Sequence, residues 1–189
     1  MKKTITFLFL LTAILFNFQN AEAQKKVINL TESSIHWLGK KVTGQHDGNI
    51  NISSGYLTMD NRVLTGGSFV VDMNSINCAD LEGEYKGKLE GHLKSDDFFG
   101  VAEHPQASLT FTDIKTKGNG LYTVTGDFTI KGKTNPATFD FQINDQTATA
   151  KVIINRSLYD IRYGSKSFFD NLGNKMIYDD FELDVTLKL

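Results

Sequence analysis

A chain of 189 residues with one cysteine, one tryptophan and four histidines has few of the groups that chemistry needs. Cys78 has no partner for an internal disulfide, so core packing alone must hold the fold. It reads as a small buried hydrophobe, the alternative being a link between two copies. His36, His46, His92 and His104 show no metal-ligand spacing, so no metal site is expected. No Gly-x-Ser-x-Gly elbow and no phosphate loop occurs, and Gly118-Asn119-Gly120 is a hairpin turn. Asp96-Asp97 and Asp179-Asp180 are paired carboxylates, but capping a turn and starting an exposed strand account for them. Lysines are scattered rather than grouped in a stripe, which argues against nucleic acid as a partner. A barrel-based isomerase or hydrolase is therefore the minority reading, with no catalytic residue to name.

The first residues read as a leader. Lys2 and Lys3 precede an apolar run from Ile5 to Phe16, and Ala21-Glu22-Ala23 supplies a small-x-small cleavage site. The run is too short to cross a bilayer comfortably. The expectation is a cleaved signal peptide over 1–23 and one domain over 24–189, placed in the periplasm or secreted. Cleavage removes two lysines and one glutamate, which moves the net charge from −2 to −3.

What remains alternates. Ser34 to Val42, Asn49 to Ile52, Tyr56 to Met59 and Val63 to Met73 read as strands, with turns at Gln45–Gly48, Ser53–Gly55 and Asp60-Asn61. After Pro105 the pattern is stronger. Tyr122, Val124, Gly126, Phe128 and Ile130 share one face; Ala137, Phe139, Phe141 and Ile143 another. Ala148, Ala150, Val152 and Ile154 follow, then Phe181 to Leu189. Each strand has one apolar and one wet face, which describes antiparallel sheet. About eight such strands must close a barrel or stack as a sandwich.

Two stretches break the alternation. Asp80 to Lys94 is helical in pattern, with Leu81, Tyr85, Leu89 and Leu93 four apart and glycines at 83, 87 and 91 that weaken it. It reads as a cover for one end of the core, or as a lid. Ser95 then suits the cap of a second short helix with Asp96 and Asp97 in its first turn, and Pro105 ends it. Phe98 and Phe99 form a double aromatic that plugs or gates the core. Closure is the preferred reading, with Phe168 and Phe169 the better candidates for a gate.

At this point the chain resembles a known family. Leu93-x-Ser95-x-Asp97-Phe98-Phe99 with Pro105-x-Ala107-x-Leu109-x-Phe111 is similar to the central signature of the YceI-like proteins. So are the run Gly126-x-Phe128-Thr129-Ile130-Lys131-Gly132-x-Thr134-x-Pro136-Ala137-Thr138-Phe139 and the ending from Ile154 to Ile161 and Asp179 to Leu183. Gly100 departs from the acidic residue common there, and 167–173 is an elaboration that many members lack. The resemblance implies an exported, lipocalin-like antiparallel β-barrel with one or two short helices. It also implies a long apolar ligand, such as a polyisoprenoid, an isoprenoid quinone or a fatty-acyl amide, held without any other cofactor.

The residues themselves leave a solid core and a hollow one equally open, because large side chains (Phe111, Phe128, Phe139) mix with small ones (Gly126, Ala137, Ala148, Ala150) on the inward faces. With the resemblance added, the expected ligand-binding residues are Trp37, Phe69, Val71, Leu93, Phe111, Val124, Phe128, Ile130, Phe139, Phe141, Val152, Ile154, Phe168 and Phe169. Arg156 is the expected polar contact at the mouth, a surface salt bridge being the other reading. The function expected is carriage or sequestration of a lipid, the alternative a ligand-free interaction or stress-response barrel. A membrane would be a transient partner, and Cys78 or an exposed apolar edge would support a homodimer.

Overall fold

The alternating segments become nine antiparallel strands, and eight of them form one ring. In chain order these are β1 (Gln24–Val27), β2 (Asn29–Lys41), β3 (Gly44–Asp60) and β4 (Val63–Cys78), then the helix α1 (Gly83–Lys94). β5 (Gln106–Gly118), β6 (Leu121–Ile130), β7 (Lys133–Asn144), β8 (Thr147–Asn155) and β9 (Ile177–Lys188) complete the set. The computed structural model describes residues 23–189, so the expected leader lies almost wholly outside the described residues. Neighbours run β2-β9-β8-β7-β6-β5-β4-β3, and β3 pairs with β2 as well as with β4. That double pairing closes the barrel and removes the sheet edges. The short β1 pairs with the far half of β3, Gln24 opposite Met59.

The inward faces are those that the period of two assigns. Along β6, Tyr122, Val124, Phe128 and Ile130 are buried while Thr123, Thr125, Asp127 and Thr129 are only partly so. Hairpin turns carry Asn61, Asn119 and Asp145 at positive φ, which short polar side chains tolerate.

The structure corrects the reading of the first half in three places. The turn expected at Gln45–Gly48 falls instead at Val42-Thr43, and Gly48 lies inside β3. A Cβ at Gly48 would stand 1.8 Å from the Asn77 carbonyl oxygen and 2.8 Å from the Trp37 ring, so this glycine marks close backbone approach rather than a turn. Ser53–Gly55 likewise stays in β3, where the pairing with β4 shifts register between Ile52 and Ser54, and Gly55 makes room for the Phe69 ring. Ser95, expected to open a second helix, closes the first one. Its N–H donates to Gly91 and His92 carbonyls, its hydroxyl donates to His92, and 96–99 is a turn.

The helix is real but only lightly attached. Leu93 is its one buried residue, Leu81 (just before it) and Leu89 are partly buried, and Tyr85 is 74% exposed, so the expected stripe is covered only in part. The Glu90 carboxylate accepts from the Cys78 N–H at 2.9 Å, which ties α1 to the end of β4.

The two ends of the barrel differ. One is closed by tight hairpins joining β3 to β4, β5 to β6 and β7 to β8. The other carries α1, the 95–104 turn, a 3-10 turn at Arg156–Tyr159 and the long 160–176 loop. Two glycine substitutions separate the constraints at these places. Gly48→Ala should lower stability by about 3 kcal/mol, because the backbone of β4 must yield. Gly87→Ala, which meets nothing within 4 Å in α1, should raise it by up to about 1 kcal/mol. Urea midpoints of the two variants should therefore move in opposite directions.

Candidate functional site: an apolar cavity and an outer vestibule

The inward side chains do not fill the barrel. They enclose a cavity of about 180 Å³ that begins beneath Phe98 and Ile177 and runs down to Phe141 and Leu187. Eleven of the expected residues border it. Trp37 comes from β2, Phe69 and Val71 from β4, Leu93 from α1 and Phe111 from β5. Phe128 and Ile130 come from β6, Phe139 and Phe141 from β7 and Val152 from β8, with Arg156 just beyond.

Four expected residues lie elsewhere. Val124 and Ile154 point inward but are wholly covered, as part of the packed core rather than the cavity wall. Phe168 and Phe169 are 38% and 50% exposed and touch no part of the cavity. The Arg162 guanidinium stacks over Phe168 at 5.0 Å, and Phe169 borders a separate outer hollow. The period of two ended before this loop, so the sequence offered nothing to say which way its aromatics face.

The sequence reading also left out wall residues that it had the means to find. Phe181, Leu183, Val185 and Leu187 on β9 border the cavity, as do Ile35, Ile50 and Ile52. Strict alternation placed all of them inward. Phe98 and Phe99 border it too, each 8% exposed, their rings edge to face at 5.0 Å. They form a lid of fixed side chains under α1, with Phe99 also edge-on to Phe181 at 6.4 Å. Phe111 holds the middle, its ring within 5.6 to 6.0 Å of Phe69, Phe139 and Phe141.

Arg156 is neither at a surface nor at a mouth. It is 2% exposed, and its guanidinium is occupied by main chain. Nε donates to the Tyr178 carbonyl at 3.2 Å, Nη1 to Ile161 at 2.9 Å and Nη2 to Ile177 at 3.1 Å. Asp179, largely but less completely buried, stands 3.4 Å from Nη2 and supplies the counter-charge, and the Phe98 ring lies 5.5 Å away. Burial pushes the Arg156 pKa down, and the Asp179 charge offsets this only in part. The residue staples the start of the 160–176 loop to its end, so the reading of Arg156 as a surface salt bridge is corrected to a buried one.

Outside this wall is a second hollow of about 870 Å³, open to solvent. Lys41, Lys131, Arg162 and Lys175 line it together with Asp96, Asp97 and Asp160. Ile177 is the one residue bordering both spaces.

A third group lies apart from both. The Cys78 thiol donates to Asp80 at 2.9 Å, and His46 Nδ1 meets the other Asp80 oxygen at 2.9 Å. Burial, then the Asp80 contact, pushes the Cys78 thiol up, which keeps it an unreactive neutral group. Among the described residues no group of three or more His, Cys, Asp or Glu is placed to hold a metal ion.

The comparisons with known proteins fall on this same frame. The YceI-like domain family matches residues 27–189. The chain belongs to the YceI-like family. Protein YceI of Escherichia coli O17:K52:H18 is 42% identical over 72 residues, 38% of this chain and 37% of that protein. A UPF0312 protein of Shewanella denitrificans is 34% identical over 91 residues, 48% and 46% of the two chains. The chain thus aligns with about half the length or less of these curated relatives. Among solved structures, Burkholderia cenocepacia BcnA superposes with a TM-score of 0.68 at 22% identity, covering 85% of this chain and 98% of that one. A polyisoprenoid binding domain from Saccharophagus degradans, described as implicated in plant cell wall breakdown, gives 0.58 at 14% identity, with 88% and 97% covered. At these identities the likeness is one of fold: both structures share the barrel.

Two substitutions probe the site. Phe98→Ala removes a ring buried between α1 and the cavity and should cost about 3–5 kcal/mol, read as a lower urea midpoint. The Asp80 carboxyl sits in a different balance. Burial raises its pKa, but the Cys78 thiol, His46 and the Asp47 N–H outweigh that and hold it at about 2. A carboxylate depressed in the folded state stabilises it above the unfolded value of about 3.9, and that contribution disappears as pH falls towards 2. Asp80→Asn should therefore be less stable than the natural protein at neutral pH, the gap closing between about pH 4 and pH 2 in acid-denaturation curves.

Proposed function

We propose that this protein holds a long apolar molecule, an isoprenoid, an isoprenoid quinone or a fatty-acyl chain, inside the barrel for carriage or sequestration. The observation that carries the reading is the cavity itself, a space of about 180 Å³ walled by Phe, Ile, Leu and Val side chains. Cavities of about 150 Å³ lined in this way stay dry and take up benzene-sized apolar groups. A longer chain requires the Phe69, Phe111 and Phe139 rings, which stand 5.7 to 6.0 Å apart across the cavity, to turn aside. Each methylene withdrawn from water is worth about 0.8 kcal/mol, so a chain needs no polar contact with the wall to be held. The Saccharophagus degradans structure, described as a polyisoprenoid binding domain, supports the same ligand class.

Binding without catalysis suits the groups present. The one thiol is held neutral by burial and hydrogen-bonded to the Asp80 carboxylate, which at a pKa of about 2 is too weak a base to take its proton. The leader expected over 1–23 supports export to the periplasm or beyond. A homodimer linked through Cys78 is disfavoured, because the residue is completely buried.

Trp37 makes the proposal measurable. It is the sole tryptophan, it borders the cavity, and its indole N–H donates to the Asn77 carbonyl at 3.0 Å. Organic extraction of the purified protein should release a long-chain lipid detectable by mass spectrometry, and adding that lipid back should shift Trp37 emission. Ala150→Phe, which places a ring into the cavity, should weaken binding at least tenfold while the far-ultraviolet dichroism of the barrel is kept. No lipid above background and no emission change with any apolar chain would favour the ligand-free barrel, a reading for which the narrowness of the cavity speaks.

A further inference from the structure

A polar head group has no place in the inner cavity. The only cation bordering it is Arg156, whose three guanidinium nitrogens already hold three main-chain carbonyls and whose charge is matched by Asp179. A carboxylate or phosphate drawn inside would lose its water and gain no partner, a cost of several kcal/mol. An amphiphile must therefore insert its tail and leave its head outside the wall.

The structure has a compartment of the right kind directly beyond that wall. The outer vestibule of about 870 Å³ shares Ile177 with the cavity, and Ile177 is paired in the sheet with Lys41. Its charges are not evenly matched. Arg162 is paired with Asp160, and the Lys131 ammonium donates at 2.7 Å to the backbone carbonyl of Asp96 rather than to a carboxylate. Among the described residues Lys41 and Lys175 make no salt bridge, and neither do Asp96 and Asp97; Asp160 alone of the three acids is paired, with Arg162 and, at 3.9 Å, with Lys133 from outside the vestibule. Four cations against three carboxylates leave one positive charge in excess, beside the exposed faces of Tyr163 and Phe169.

We infer that this vestibule is the head-group site, and that the cargo is an amphiphile with an anionic oxygen head, a carboxylate or a phosphate, whose tail passes Ile177 into the barrel. The inference rests on the barrel reading and adds to it the polarity of the ligand and its direction of entry. The fold supplies the selectivity in two steps. The cavity excludes the head by offering it no hydrogen bond, and the vestibule receives it with water still present.

Three ten-carbon probes with different heads test this on the full barrel: decanoate, 1-decanol and decyltrimethylammonium, each titrated against Trp37 emission at pH 7.5. Trp37 borders the inner cavity and not the vestibule, so it reports tail occupancy whatever the head. Decanoate should bind about threefold to tenfold more tightly than 1-decanol at low salt, with decyltrimethylammonium weakest, and the advantage should shrink in 0.5 M salt. The double variant Lys41→Glu, Lys175→Glu should abolish the advantage of decanoate and leave 1-decanol unchanged. Both changes lie on exposed or half-buried surface, and far-ultraviolet dichroism checks that the barrel persists. Equal affinity for decanoate and 1-decanol, or preference for the cationic head, would overturn the head-group site while leaving the barrel reading intact. An equal loss of both ligands in the double variant would overturn it as well. Failure of all three probes to move Trp37 emission would overturn the barrel reading and the head-group site together.

Discussion

The pairing of β3 with both β2 and β4 is the constraint from which the rest of this structure follows. β3 is the longest strand, Gly44–Asp60, and it changes register against β4 where glycines and serines let it bend. Because the sheet returns on itself, its inner face is sealed from water on all sides, and the apolar half of every strand meets the apolar half of every other. An open sheet with the same sequence would expose its edges and leave the phenylalanines to be covered by something else. Closure also fixes the interior width. Eight strands leave slightly more room than the side chains of this chain occupy, and the remainder is the cavity beneath Phe98.

The ends of such a ring divide the work. Tight turns at one end are satisfied by Asn and Asp at positive φ and need little else. At the other end two connections are tight turns, at Val42-Thr43 and Lys131-Gly132, but the other two are long and must be anchored. Glu90 holds α1 to β4, Ser95 ends the helix, and Arg156 gathers the carbonyls of Ile161, Ile177 and Tyr178 at the two ends of the 160–176 loop. These are polar solutions to a packing problem. Loop carbonyls carried close to an apolar cavity need donors, and a guanidinium supplies several from one side chain. The consequence is a wall that is apolar inside and charged outside, with a single isoleucine between the two.

That division bears on function because it separates affinity from selectivity. An apolar wall grips any chain that displaces water from it, in proportion to length. Discrimination then depends on what stands at the threshold, where the dielectric is high and a charge keeps its hydration. In this chain the elaboration at 167–173 contributes Phe169 and Leu172 to that outer surface.

Much of this was legible in the residues. The period of two in β6 to β9 set which side chains face inward, since successive Cβ atoms on a strand point to opposite faces. The signatures around Phe98-Phe99 and Gly126 to Phe139 carried the family. The glycines were read less well. Gly48 and Gly55 looked like turn residues, yet their role is to admit the Asn77 backbone and the Phe69 ring, partners that are distant in sequence. Arg156 was placed at the mouth because its strand ends there, but nothing local reveals that three carbonyls from 161 to 178 converge on it.

The antiparallel class, the inward faces and the strands after Pro105 were thus determined by the sequence itself, because they depend on local alternation and turn chemistry. The hollow beneath Phe98, the burial of Arg156 and the adjoining charged vestibule were decided only by tertiary structure. Each depends on how much space eight strands enclose and on which distant segments meet at one end of the ring, and neither quantity has a local signature.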